Sequence, residues 1–170
     1  LQWRSVYSES TPDGGGPDAI PETVEIASEF AGADLCRHLA LFYESTEFQL
    51  VTCAAFLRRE LGRGRRVVYL CDDNDPEDVR NALRAAAGVD VETRATEGDL
   101  SIEDARTAYL DDGFDPHRMV AELEVWAEEA VESGYSGLSV AGENTWCFHT
   151  EYSFDHILDF ESLFDEHAPD

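Results

Sequence analysis

The chain has 170 residues, 43% of them apolar, which suits one domain with a real core and a short appendage. Its formal net charge is −25, from 37 acidic and 12 basic residues, and every basic residue is arginine. That balance argues against nucleic-acid binding by this chain alone, because such affinity rests on neutralising phosphates. No run approaches the ~18 apolar residues that span a membrane, and no signal-peptide pattern is visible.

A lysine-free, acid-rich surface on an ordinary core is the composition expected of a salt-loving cytoplasm, where salt screens self-repulsion. The four cysteines, Cys36, Cys53, Cys71 and Cys147, contain no C-x-x-C spacing, which fits reduced thiols in a cytosol.

The first segment, "SESTPDGGGPDA" (8–19), is a Gly/Pro/Ser/Asp cluster. Residues 1–17 therefore read as a linker or disordered arm. Residues 18–36 read as an N-terminal helical extension, with "PETVEIASEF" opening on proline. The main domain is expected over 37–167. "HLALFY" (38–43) is an apolar run of strand length. Residues 47–61 predict a helix, with Leu50, Ala54, Leu57 and Leu61 at helical spacing and Gly62 as a stop. Residues 65–71 predict a β-branched strand. Residues 75–88 predict a helix that Asp75 caps, Pro76 opens and Gly88 ends. Residues 89–94 and 99–105 read as short strands or extended segments. Residues 115–134 form the clearest helical pattern, with Met119, Leu123, Trp126 and Ala130 in one stripe. Residues 135–143 read as a strand, and 151–167 as a last amphipathic helix.

Strand and helix alternate, which predicts an α/β three-layer sandwich with a mainly parallel sheet flanked by helices. In such sheets ligands sit at the carboxyl ends of the strands. Those ends are Tyr43-Glu44, Cys71-Asp72-Asp73, Asp104-Ala105 and Gly142-Glu143-Asn144.

The turn between the first strand and helix is "YESTE" (43–47), where a nucleotide-binding protein keeps its phosphate loop. A phosphate loop needs glycines, whose N–H groups wrap phosphate, and a lysine. Here Glu44 and Glu47 add negative charge instead, so nucleotide hydrolysis through this turn is not expected. Ser45 or Thr46 is placed to cap the helix. Two C-x-H pairs, Cys36/His38 and Cys147/His149, suggest zinc. However, a strand spans roughly 20 Å and zinc holds its ligands at about 2.0–2.3 Å. No metal site or cofactor is therefore expected. No Ser-His-Asp spacing, nucleophile elbow or dinucleotide loop appears, and no enzymatic activity is expected.

"HLALFYES", "RVVYLCDDNDPEDVRNALRAAAGVDVE", "GDLSIEDARTAYLDDGFDPHRM" and "GYSGLSVAGENTW" occur in that order. Together they closely resemble the MEDS domain, the sensory domain named after methanogens, methylotrophs and a dichloromethane-responsive regulator. The resemblance implies a degenerate relative of the RecA/KaiC-like ATPases without a functional phosphate loop. It implies a cytoplasmic sensor of small hydrocarbon derivatives, joined to a signalling module such as a histidine kinase or a DNA-binding domain. It also implies a further strand after the last helix, for which the residues up to Asp170 offer no segment.

The candidate ligand-binding residues are Tyr43, Glu44, Asp72, Asp104, Glu143 and Trp146. Tyr43 and Trp146 would be walls, and Glu44, Asp72 and Glu143 polar anchors around one space, with Arg106 as a counter-ion. Two other functions stay open: a nucleotide-dependent enzyme with residual binding, and an interaction module with a vestigial pocket. The ligand, the output partner and the oligomeric state are not legible.

Overall fold

"VVYLC" is apolar at every position, as a strand covered on both faces must be. In the computed structural model, which describes residues 38–110, 113–148 and 154–167, it forms the centre of the sheet. The arm and extension expected over 1–36 lie outside the described residues. Strand β1 (Arg66–Cys71) pairs in parallel with β2 (Leu100–Asp104) on one side and β3 (Leu138–Gly142) on the other. The register sets Cys71 against Asp104 and Leu70 against Gly142, so the three strands end together.

Alternation divides β1 between two cores. Val67, Tyr69 and Cys71 face helices α1 (Thr46–Gly62) and α2 (Pro76–Ala87), packing with Leu57, Val79 and Leu83. Val68 and Leu70 face α4 (Pro116–Glu132) and α5 (Phe154–His167), packing with Met119, Leu123 and Ile157. The result is the expected α/β sandwich, a parallel sheet with helices on both faces.

Local chemistry sets the helix ends. Ser45 is the N-cap of α1, its Oγ accepting from the Phe48 N–H at 3.2 Å. Asp75 caps α2 by accepting from the Glu77 N–H at 2.8 Å, and Gly88 ends that helix with a left-handed φ of 62°. Asp75→Ala is expected to lower stability by about 1 kcal/mol, read from the urea midpoint at unchanged m. An unchanged midpoint would mean that water replaces the cap fully.

Two expectations fail. Residues 38–43 form no strand, and among the described residues the sheet has three strands. The segment carries no regular structure and is only half-buried, with Phe42 62% exposed, so its apolar content is not spent on a ladder. Residues 89–94 do not extend either. Helix α3 (Val91–Glu97) starts there, because Asp90 accepts from both the Thr93 N–H (3.1 Å) and the Thr93 hydroxyl (2.8 Å). Only Val91 of α3 is buried, so the cap outweighs the strand-like alternation.

Candidate functional site

The chain leaves β1 into residues 72–74 and leaves β3 into Glu143. Because the two strands are parallel neighbours, both exits meet at the carboxyl edge. The Glu143 N–H continues the ladder to the Leu70 carbonyl at 2.9 Å, which turns its side chain under the β1–α2 loop. Glu143 is only 4% exposed. Its Oε2 accepts from three successive backbone N–H groups, Asp72 (2.8 Å), Asp73 (2.8 Å) and Asn74 (3.0 Å). Its Oε1 accepts from the Tyr69 hydroxyl and the Asn74 side-chain amide, both at 2.7 Å. The Asn74 amide also donates to Gln49 Oε1 of α1 at 2.9 Å. Successive N–H groups of this kind form an anion nest, and here the protein's own carboxylate occupies it.

A second buried carboxylate shows the contrast. Glu60, near the end of α1, accepts from Ser139 Oγ at 2.9 Å and is ringed by Arg59, Arg63 and Arg65. Among the described residues Glu143 has no ion pair, and neutral donors compensate its charge.

The neighbours of Glu143 are held protonated. Burial pushes the Tyr69 phenol far up, with Cys53 and Glu143 adding to it. Burial lifts the Cys53 thiol to about 11, against a hydrogen bond to Tyr69 that lowers it. Burial lifts Cys71 to about 12, with Glu143 adding to it. Tyr43 rises through burial first, then through Glu143, Asp73, Cys53 and Asp72. These groups therefore act as neutral donors at ordinary pH; the thiolate is the nucleophilic form of cysteine.

The structure brings together three of the six candidate residues, Tyr43, Asp72 and Glu143. The Asp72 side chain is 3% exposed, accepting from Thr145 Oγ1 at 2.6 Å, with Arg106 Nε 4.0 Å away. Arg106 is itself 73% exposed, so it is a partial counter-ion. The three expected anchors do not crowd one empty space: Glu143 is satisfied by five donors, Asp72 by Thr145, and Glu44 is exposed. Trp146 does not share a wall with Tyr43. It is buried among Val68, Leu70, Phe114 and Met119, on the opposite face of the sheet from Tyr69. Glu44 is exposed, and Asp104 is an exposed acid that accepts from the Arg106 N–H at 2.8 Å.

Sequence reasoning missed Gln49, Tyr69 and Asn74 as parts of this network. The buried face of α1 that carries Gln49 also carries Thr52 and Glu60, so no break in an apolar stripe singled it out. It also missed a groove of about 510 Å3 between the start of α4 and α5, lined by Phe114, His117, His156, Asp159, Leu163 and Glu166. Cys36 and His149 lie outside the described residues, so only half of each C-x-H pair can be followed. Cys147 is buried in the second core and His38 contacts α5. Among the described residues no group of three His, Cys, Asp or Glu side chains is arranged to hold a metal ion.

A three-stranded parallel sheet with helices packed on both faces defines an α/β sandwich domain. Within that class the assignment is specific: the model of the MEDS family, the methanogen/methylotroph, DcmR sensory domain, matches residues 37–170. The chain belongs to that family, and its family is one of sensory domains. No curated protein and no solved structure matches it.

Proposed function

We propose that this domain is a non-catalytic sensor that takes a small, weakly polar organic molecule at the carboxyl edge of the sheet, beside Tyr43 and the β1–α2 loop. The observation that carries this reading is the saturated Glu143 carboxylate. It fixes residues 72–74 through neutral donors, and the neighbouring groups that stay open to the edge, such as the half-buried Tyr43 phenol, are held protonated. Such groups suit recognition of an oxygen or halogen better than bond-making. The same arrangement supports descent from a RecA/KaiC-like nucleotide site. Ser45 caps α1 at the turn before it, and in the neighbouring β1–α2 loop Glu143 fills an anion nest that a phosphate could have used.

A sensor acts through a partner, so a signalling module, such as a kinase or DNA-binding domain, completes the reading, and a cytoplasmic location fits it. Among the described residues no helix is long and apolar enough to cross a membrane. The α4–α5 groove favours a second reading, an interaction module that docks its partner there.

The test is a thermal-shift screen of short alcohols, methylamines and halomethanes in molar KCl, repeated with Tyr43→Ala and His117→Ala. The expected hit loses its shift in Tyr43→Ala and keeps it in His117→Ala. The reverse pattern moves the site to the groove. Silence across all three compound classes removes the sensor reading and leaves the interaction module. ATP or GTP with magnesium is expected to give neither a shift nor phosphate release; steady release would revive the enzyme reading.

A further inference from the structure

His38 opens the described part of the chain, and its imidazole reaches across to α5. Nε2 lies 2.7 Å from Glu161 Oε2, and Nδ1 lies 3.2 Å from Asp165 Oδ1. The ring meets Phe164 edge-on, with 5.0 Å between centroids. Residues 161, 164 and 165 share one helix face, being three and four positions apart. Glu161 Oε2 is sealed from solvent, and among the described residues no hydrogen-bond donor is aligned with it; the imidazole, 2.7 Å away, faces its charge.

We infer that His38 is a protonation-dependent latch that fastens residues 38–43 to the C-terminal half of α5. A neutral imidazole donates from one nitrogen only, whereas an imidazolium donates from both. Here Nδ1 is within hydrogen-bond reach of Asp165, while Nε2 meets Glu161 as a close ion pair, so only the charged ring offers both a proton to Asp165 and a positive charge to Glu161. The Glu161 contact raises the pKa of His38, with Asp165 adding to it, while burial opposes them.

The sign follows. A histidine whose folded pKa is raised contributes stability that is complete below its ordinary value of 6.5 and is lost as pH rises through the folded value. The latch is therefore closed in mild acid and opens toward alkaline pH. Glu161 and Asp165 are the titratable groups that face the ring from α5. Of the other histidines on that helix, His156 lines the groove, and His167 turns toward Glu124 of α4 at 4.0 Å.

The latch ring also begins a row of aromatic contacts. Phe164 meets Phe160 at 5.9 Å, Phe160 meets Phe114 at 5.9 Å, and Phe114 meets Trp146 at 4.7 Å. Trp146 follows Thr145, the partner of Asp72. Loosening α5 thus loosens packing that reaches the carboxyl edge, whether or not a ligand binds there.

The test titrates the wild-type chain and His38→Gln from about pH 5.5 to about pH 9 in molar KCl. NMR follows the His38 ring, and hydrogen exchange, corrected for intrinsic rates, follows the α5 amides. The expected wild-type result is a His38 midpoint above that of free histidine. Protection of residues 160–167 should fall about three- to fivefold over the same range, the scale of a part-exposed ion pair. His38→Gln should show the lower protection throughout, with no step. A His38 midpoint at or below the free value, a flat wild-type profile, or a step that persists in His38→Gln overturns the latch. Should His38→Gln fail to fold, Glu161→Gln provides the second arm: it should lower the His38 midpoint, and an unchanged midpoint overturns the latch equally.

Discussion

Glu143→Ala is expected to lose roughly 3 kcal/mol or more of unfolding free energy, the largest effect of any single substitution at the carboxyl edge. The substitution strands three backbone N–H groups, a phenol and an amide that all now point at one carboxylate. Each orphaned buried donor costs about 1–3 kcal/mol. The sum is not reached, because Asp73 is exposed and water can enter the loop from that side. Glu143→Gln should be damaging despite its shape, since its amide nitrogen would turn donors toward donors. The diagnostic arm is chemical rescue. Formate or acetate should restore part of the lost stability in Glu143→Ala and none in the wild type, because the nest recognises an anion and not a particular side chain. Equal urea midpoints for the wild type and Glu143→Ala would show that water satisfies the loop, and the keystone role would fall.

The same residue shows how far the sequence could be read. The end of "GLSVAGE" could be placed at the carboxyl edge, because alternation and the parallel-sheet rule fix where strand ends lie. That the acid would turn inward and be consumed by backbone donors could not be read, because the donors belong to a loop seventy residues away in sequence. Trp146 was misplaced for a related reason. A position after a strand fixes the edge but not the face, and Phe114 and Met119 draw the indole into the second core. The helix caps were legible at Ser45, Asp75 and Gly88, because capping is local chemistry. Capping by Asp90 was equally local, but the alternation of "VDVE" suggested extension more strongly. Residues 38–43 failed the other way. Their composition is strand-like, yet a ladder needs a paired edge, and composition does not report whether that edge is taken.

The thermal midpoint is expected to rise by roughly 10 °C or more between low and molar KCl, which for a chain of this size corresponds to several kcal/mol. The cause is the excess of 37 acidic over 12 basic residues. Self-repulsion of that excess destabilises the compact state, and the screening length falls from about 10 Å at 0.1 M to about 3 Å at 1 M. Salt also screens the attractive pairs, such as Arg84 with Glu77 and Arg94 with Asp99. Exposed pairs contribute little, about 0–1 kcal/mol each, and the arginines are too few to balance the acids, so the net response to salt is stabilising. Sucrose at matched osmolality separates screening from general exclusion of cosolute from the surface; it should reproduce only a small part of the rise. A second arm changes the charge itself. Glu128, Glu129 and Glu132 are exposed on α4, and replacing all three with lysine should raise the midpoint at low salt and flatten the KCl dependence. A midpoint that does not move with KCl, or a lysine triple variant with the wild-type slope, would mean that the acidic surface is not what limits the stability of this fold.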